Sequence, residues 1–196
     1  MDSNFFALIS RMRYIARWGL MRNALPENIQ EHSHMVAVFA HALGVIRRDI
    51  FRKPCDVNAL ATAALYHDAS EILTGDLPTP IKYHNAEIMS AYHAVEDLAV
   101  QKLLDMLPPE LRATYADVLS EDKDGDIYPL VKAADKLSAY IKCIEERKAG
   151  NNEFLSAEAQ TRAALDASPL PEVQYFLQHF IPAFERDLDE LGAIGQ

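Results

Sequence analysis

Apolar residues recur every three or four positions along nearly the whole chain, and nowhere do they alternate for long enough to make a useful strand. That periodicity admits helices and excludes a sheet-based fold. Residues 4–17 put Phe5, Leu8, Ile9, Met12 and Ile15 on one face. Gly19 and Pro26 break the pattern. Asn28, with Glu31 three residues on, reads as a capping box that opens a second helix, whose stripe is Met35, Val36, Phe39, Leu43 and Ile46. After Pro54 a third helix spans about 57–72, and TGDLPTP at 74–80 is a cluster of breakers, hence a loop. A long helix is expected from about Tyr83 to Met106, with Ile88, Tyr92, Val95, Leu98 and Leu103 facing in, until Pro108 and Pro109 stop it. A short helix at 110–119 and the acidic loop SEDKDGD follow. Pro129 then suits the first turn of a helix running to about Lys148, with Gly150 as its C-cap. Helices from about Glu153 to Leu165, and from Pro171 onward through Val173, Phe176, Leu177, Phe180, Ile181, Phe184, Leu188 and Leu191, complete the chain. The expected architecture is all-α, one domain over residues 1–196, a bundle of six to eight helices; 196 residues suit a single core.

Charge narrows the function. The net charge is −10, so polyanions are repelled and neither nucleic acid nor an anionic membrane is an expected partner. The charge is uneven: residues 1–53 hold eight Lys/Arg against four Asp/Glu, and the remainder holds 11 against 25. A locally basic first third can hold a small anion. The N-terminus lacks the early positive region, long apolar core and cleavage site of a signal peptide, and no run is apolar enough to span a membrane, so the expected location is the cytoplasm. Cys55 and Cys143 stand far apart, form no metal or redox motif, and are expected as buried free thiols.

The residues able to do chemistry gather around ALYHDASEILTGDLPT. His67 and Asp68 are adjacent on the third helix, so both reach one point only if it lies between them, as a metal ion would. His32 falls on the apolar stripe of its helix, and Asp135 does the same among Val131, Ala134, Leu137, Ser138 and Ile141. A carboxylate on a buried face is costly unless paired or coordinated. Singly each has an ordinary reading: a satisfied core histidine, an Asp paired with Lys132 or Lys136, a chance His-Asp pair. Together they set a metal-type ligand on each of three helices. DKDGD at 122–126 is no EF-hand, because its Gly comes too early and no Glu closes it. No nucleophile motif is present, which leaves water as the attacking group.

The order His…His-Asp…Asp is the signature of the HD-domain metal-dependent phosphohydrolases, an all-helical superfamily. RWGLMRN (17–23), ENIQEHSHMVAVFAHAL (27–43), ALYHDASEILTGDLPTPIKY (64–83), VKAADKLSAYIKCIEE (131–146) and AGNNEF (149–154) closely resemble the bacterial 5′-deoxynucleotidase family. The resemblance runs from about Phe5 to Asp189 and weakens at 120–128 and 164–172. It implies removal of the 5′-phosphate from 2′-deoxyribonucleoside 5′-monophosphates by a homodimer holding one divalent metal, cobalt with manganese, copper or zinc as alternatives. Carried over by motif, His32, His67, Asp68 and Asp135 are the ligands, with Asp68 and Asp135 also near the substrate. Glu71 shares a helix face with the His-Asp pair and would orient water or pass a proton to the leaving alkoxide. Arg17 looks like the phosphate clamp, since a guanidinium grips phosphate by a bidentate fork. Trp18 would line the sugar pocket and reject a 2′-hydroxyl, its bland alternative being a core anchor. Asp76, Leu77, Pro78 and Thr79 resemble the loop that holds the nucleoside, and Lys82 would add charge near the phosphate. His84 and His93 lack the surroundings of a second metal site. The rival readings are another HD phosphohydrolase, acting on a cyclic nucleotide, a triphosphate or an alarmone, and a catalytically silent nucleotide sensor.

Overall fold

The structure is a computed structural model and describes residues 2–82, 84–120 and 125–192. Among the described residues ten α-helical segments follow one another: α1 (Phe5–Ile9), α2 (Ile29–Val45), α3 (Val57–Tyr66), α4 (Glu71–Thr74), α5 (Thr79–Lys82), α6 (Ala86–Asp105), α7 (Pro109–Leu119), α8 (Tyr128–Lys148), α9 (Leu155–Asp166) and α10 (Pro171–His179). Seven of these, α2, α3 and α6 to α10, run to nine residues or more, and no strand is present among the described residues, as the periodicity requires.

Local chemistry explains most boundaries. Asn28 caps α2 by accepting from the Gln30 and Glu31 N–H groups, and Asp56 caps α3 by accepting from Asn58 and Ala59. Proline opens α7, α8 and α10, where its missing N–H costs nothing. Gly150 follows α8 with φ +81, a backbone conformation that side-chain-bearing residues disfavour.

Four boundaries differ from the sequence expectation. The first helix does not reach residue 17: it tightens into a 3₁₀ turn at Ser10–Tyr14 and Ile15 is extended. The third helix does not run to residue 72 but ends at Tyr66, and tight i→i+3 bonds carry the chain through His67–Ser70 into α4. The 74–80 segment is not all loop, since Thr74 ends α4 and α5 begins at Thr79. The last helix ends at His179 and resumes as a 3₁₀ turn, Ile181–Glu185, because Pro182 has no N–H to continue the α-helical ladder and suits the start of a new turn. Leu188 and Leu191 are consequently exposed rather than part of a helical face, as is Phe180. Met35, Val95 and Leu98 also point outward, Leu98 with 63% of its surface free. The start expected at Tyr83 and most of the acidic loop, residues 121–124, lie outside the described residues.

Two apolar cores flank the chemistry. The larger joins α2, α3, α8, α9 and α10 through Val36, Leu43, Leu60, Leu137, Ile144 and Phe176. The smaller gathers Phe5, Leu103, Leu104, Leu107 and Leu119, and includes Ala69, immediately after the His-Asp pair. The turn 67–70 is therefore anchored on one side by Ala64 in the larger core and on the other by Ala69 in the smaller. α2 and α3 meet at Gly44, where an added Cβ would stand 2.9 Å from Leu60 Cδ2. Cys55 is a half-buried and Cys143 a buried free thiol.

Candidate active site

His32 on α2, His67 and Asp68 at the end of α3, and Asp135 on α8 converge between the two cores. Donor atoms of His32, His67 and Asp135 all lie within 4.8 Å of one another. Asp68 touches both imidazoles: its Oδ2 is 3.2 Å from His67 Nε2 and 3.6 Å from His32 Nε2, while Asp135 Oδ1 is 3.1 Å from His32 Nε2. Ligands about 2.1 Å from one ion stand roughly 3.0–3.4 Å apart, so these spacings suit a shared metal.

The hydrogen-bond inventory points the same way. His67 Nδ1 is 2.7 Å from the Ala64 carbonyl oxygen, which can only accept, so Nδ1 donates there and Nε2 is the nitrogen turned towards Asp68. His32 Nδ1 faces Ser138 Oγ at 3.2 Å. Both Nε2 atoms are buried with no hydrogen-bond partner, an arrangement a metal ion resolves. Burial alone would raise the Asp68 and Asp135 carboxyls. The facing imidazoles, with Arg17 for Asp68, hold both well below the usual carboxylate range. The residues fit a divalent ion with mixed imidazole and carboxylate ligands.

Around this cluster stand the groups that would meet a substrate. Arg17 donates from Nη1 to Asp68 Oδ2 at 3.3 Å and from Nε to Glu27 Oε2 at 3.2 Å. Burial lowers its pKa, but Asp68, Asp135, Glu27 and Asp76 together raise it above the ordinary value. Trp18 is part-buried: its Nε1 donates to the same Glu27 Oε2 at 3.0 Å, and its ring packs 5.2 Å from Phe154. Its backbone has φ +58, which a bulky side chain seldom adopts. Glu27 is thus the shared acceptor that sets both neighbours. The sequence reading passed over it, although its signal was present: it is the first acid after Asp2 in an otherwise basic stretch.

Glu71 opens α4 and is 7% exposed. It is not on a continuous helix with His67, yet the tight turn still brings it beside the cluster. Burial, then Asp68 and Asp76, push its carboxyl up to about 10, and Oε2 has no hydrogen-bond partner. Burial raises Asp76 as well, against the pull of Arg17. Leu77 and Pro78 are half-buried in the turn before α5, and Thr79 is the first residue of α5. Lys82 lies on the α6 side, 2.8 Å from Glu96 Oε1 and over the Tyr92 ring, and its charge acts favourably on ionised Glu71. His93 is bonded to Glu96 Oε2 at 2.8 Å, and His84, like His34, is exposed.

The sequence profile described as 5′-deoxynucleotidase YfbR-like matches residues 4–184. The chain belongs to the 5′-deoxynucleotidase YfbR-like family. Two relatives named 5′-deoxynucleotidase YfbR, from Shigella boydii and Escherichia coli, are each 50% identical over 192 residues, covering 97% of this chain and 96% of their own length. Among solved structures, an HD-domain phosphohydrolase from Listeria innocua superposes with a TM-score of 0.82 at 25% identity, over 94% of this chain and 90% of its own. A cyanophage S-2L HD phosphohydrolase bound to dA and one catalytic Zn²⁺ superposes with a TM-score of 0.60 at 25% identity, over 97% of this chain and 99% of its own. HD phosphohydrolases are metal-dependent, and in this member of the YfbR-like family His32, His67 and Asp135 form a possible metal site. Among the described residues no helix is long and apolar enough to cross a membrane.

Proposed function

We propose that the chain is a cytoplasmic, homodimeric, metal-dependent 5′-deoxynucleotidase that converts 2′-deoxyribonucleoside 5′-monophosphates to deoxyribonucleosides and phosphate. One observation carries the reading: two buried imidazoles whose Nε2 atoms make no hydrogen bond converge with Asp135 and Asp68 directly beside the half-buried Arg17. The substrate class follows from the relatives' name. Cobalt is the proposed ion, with manganese, copper and zinc as alternatives, and one ion is proposed because a single such cluster occurs among the described residues.

His32, His67, Asp68 and Asp135 would hold the ion. When bound, it supplies a Lewis acid for the phosphoryl oxygens and a more acidic water. The remaining work falls to the chain. Arg17 swings its fork between the carboxylates and the phosphate, and neutralises charge that grows as the P–O bond breaks. Glu71, kept protonated by its buried, acidic setting, gives its proton to the departing 5′-oxygen as water bonds to phosphorus, and the proton that water sheds restores the acid. Trp18 closes the sugar side, where a 2′-hydroxyl would be left without a partner. Asp76, Leu77, Pro78 and Thr79 border the nucleoside, and Lys82 contributes charge from behind.

A metal-by-substrate panel tests this, with dAMP, AMP and 3′-dAMP each assayed with cobalt, manganese, copper and zinc. Phosphate release from dAMP above the other two supports the reading. Equal release from all three, or release by Asp68→Ala at the normal rate, would overturn it.

A further inference from the structure

Arg17 and Trp18 belong to a connection, residues 15–28, with no regular helix of its own. Its neck is closed by backbone bonds: Arg17 N–H donates to the Glu27 carbonyl and Ile29 N–H to the Ile15 carbonyl, both at 3.0 Å. Its far end is held by α8. Ala24 and Leu25 donate their N–H groups to Glu146 Oε2 and Oε1 at 2.8 and 3.0 Å. Lys142, one turn back on α8, donates to Glu146 and to the Leu25 carbonyl oxygen. Asn151 Nδ2 completes the set, donating at 2.7 Å both to Glu146 Oε2 and to the Arg22 carbonyl. Glu146 is wholly buried and Lys142 is 4% exposed.

The same network reaches the indole through one ring. Phe154, fully buried, has Lys142 Nζ 5.6 Å from its centroid and Trp18 at 5.2 Å. Trp18 needs such support, since its left-handed backbone is strained for a bulky side chain and persists only where the surroundings impose it. A buried ion pair is a weak source of net stability, because well-packed apolar residues often do as well. Its use here is geometric: three polar side chains satisfy the backbone of one short loop that carries two site residues.

We propose that Glu146, together with Lys142 and Asn151, is a positioning residue that fixes the far end of the 15–28 loop and thereby sets how Arg17 and Trp18 meet phosphate and sugar. This rests on the roles given to Arg17 and Trp18 above. Glu146 touches no substrate, so its removal changes substrate handling and leaves metal binding alone.

Trp18 is the only tryptophan in the chain, so its fluorescence reports the loop directly. The test compares wild type, Glu146→Gln, and the double variant Lys142→Met/Glu146→Leu. The double variant removes the anchor without leaving a lone buried charge, and it carries the same test should Glu146→Gln fail to fold. Glu158→Gln, which breaks the Arg147–Glu158 pair between α8 and α9 away from the loop, is the control and should behave as wild type. In the anchor variants the Trp18 emission is expected to move to the red and quench more readily with acrylamide, at unchanged helicity and cobalt content. The kcat/KM for dAMP is expected to fall by about 10- to 10²-fold, the scale of a misplaced positioning element, with AMP losing less, so that discrimination narrows. Wild-type fluorescence and a wild-type dAMP:AMP ratio in a folded anchor variant would overturn the proposal and leave the network as a strut of the fold. If wild type itself releases no phosphate from dAMP, the functional reading fails, while the fluorescence arm still decides whether Glu146 positions the loop.

Discussion

At the scale of single residues the site is a crowd of carboxylates around a few cations, and each acid has a different setting. Asp68 and Asp135 face imidazoles, which pull their carboxyls down; burial and then the neighbouring acids push the Glu71 carboxyl up to about 10. Glu71→Gln removes the transferable proton and keeps the shape, so it should retain the metal and lose about 10²–10⁴-fold in kcat, as phosphate release and metal analysis on one sample would show. Loss of the metal instead would make Glu71 a ligand. Arg17 divides its fork between Asp68 and Glu27, so Arg17→Lys, which keeps the charge and loses the fork, should remain impaired in kcat/KM for dAMP; wild-type turnover would reduce it to a solvated charge. Trp18→Ala should narrow the dAMP:AMP preference. An unpaired buried hydroxyl costs about 1–3 kcal/mol, so the ratio of kcat/KM values should drop by about 10- to 100-fold. An unchanged ratio returns Trp18 to a packing role.

At the scale of elements the sequence was most legible where a chemical stop signal coincided with the end of an apolar stripe. Asn28, Pro109, Pro129 and Gly150 all mark real boundaries, and the stripe through His32, Val36, Phe39 and Leu43 faces the core as its spacing demands. The convergence of His32, His67 and Asp135 was legible for the same reason: polar residues on apolar faces stand out against their period. The break at Tyr66 was not legible, because AALYHDASEIL contains no Gly or Pro; the chain turns there through i→i+3 bonds fixed by tertiary packing of Ala64 and Ala69. Glu27, Glu146 and Asn151 escaped for a related reason, since their partners are backbone groups distant in sequence. The α8 anchor makes a pH-dependent contribution to stability. Burial raises the Glu146 carboxyl, but Lys142, the Leu25 and Ala24 N–H groups and Asn151 outweigh it and hold it at about 2, below the ordinary 4.5. Its ionised form therefore stabilises the fold fully above about pH 4.5, and that contribution fades as pH falls towards 2. Denaturant midpoints of wild type and Glu146→Gln should differ at pH 7 and converge across that window; a gap that stays constant to pH 2 would contradict the assignment.

At the scale of the whole molecule, an acidic chain of 196 residues places its candidate site in one seam between two apolar cores. α2, the turn that follows α3, and α8 carry the proposed ligands, the smaller core braces that turn through Ala69, and the 15–28 loop brings the guanidinium and the indole beside them. In the proposed function that seam holds an ion on which catalysis depends. The most direct measurement strips the protein with a chelator and titrates cobalt back, following bound metal and phosphate release from dAMP in the same samples. The expected result is no release from the stripped protein, then activity that rises in proportion to bound metal and saturates at one ion per chain. Full activity in the stripped protein, or metal binding without any release from dAMP, would contradict it.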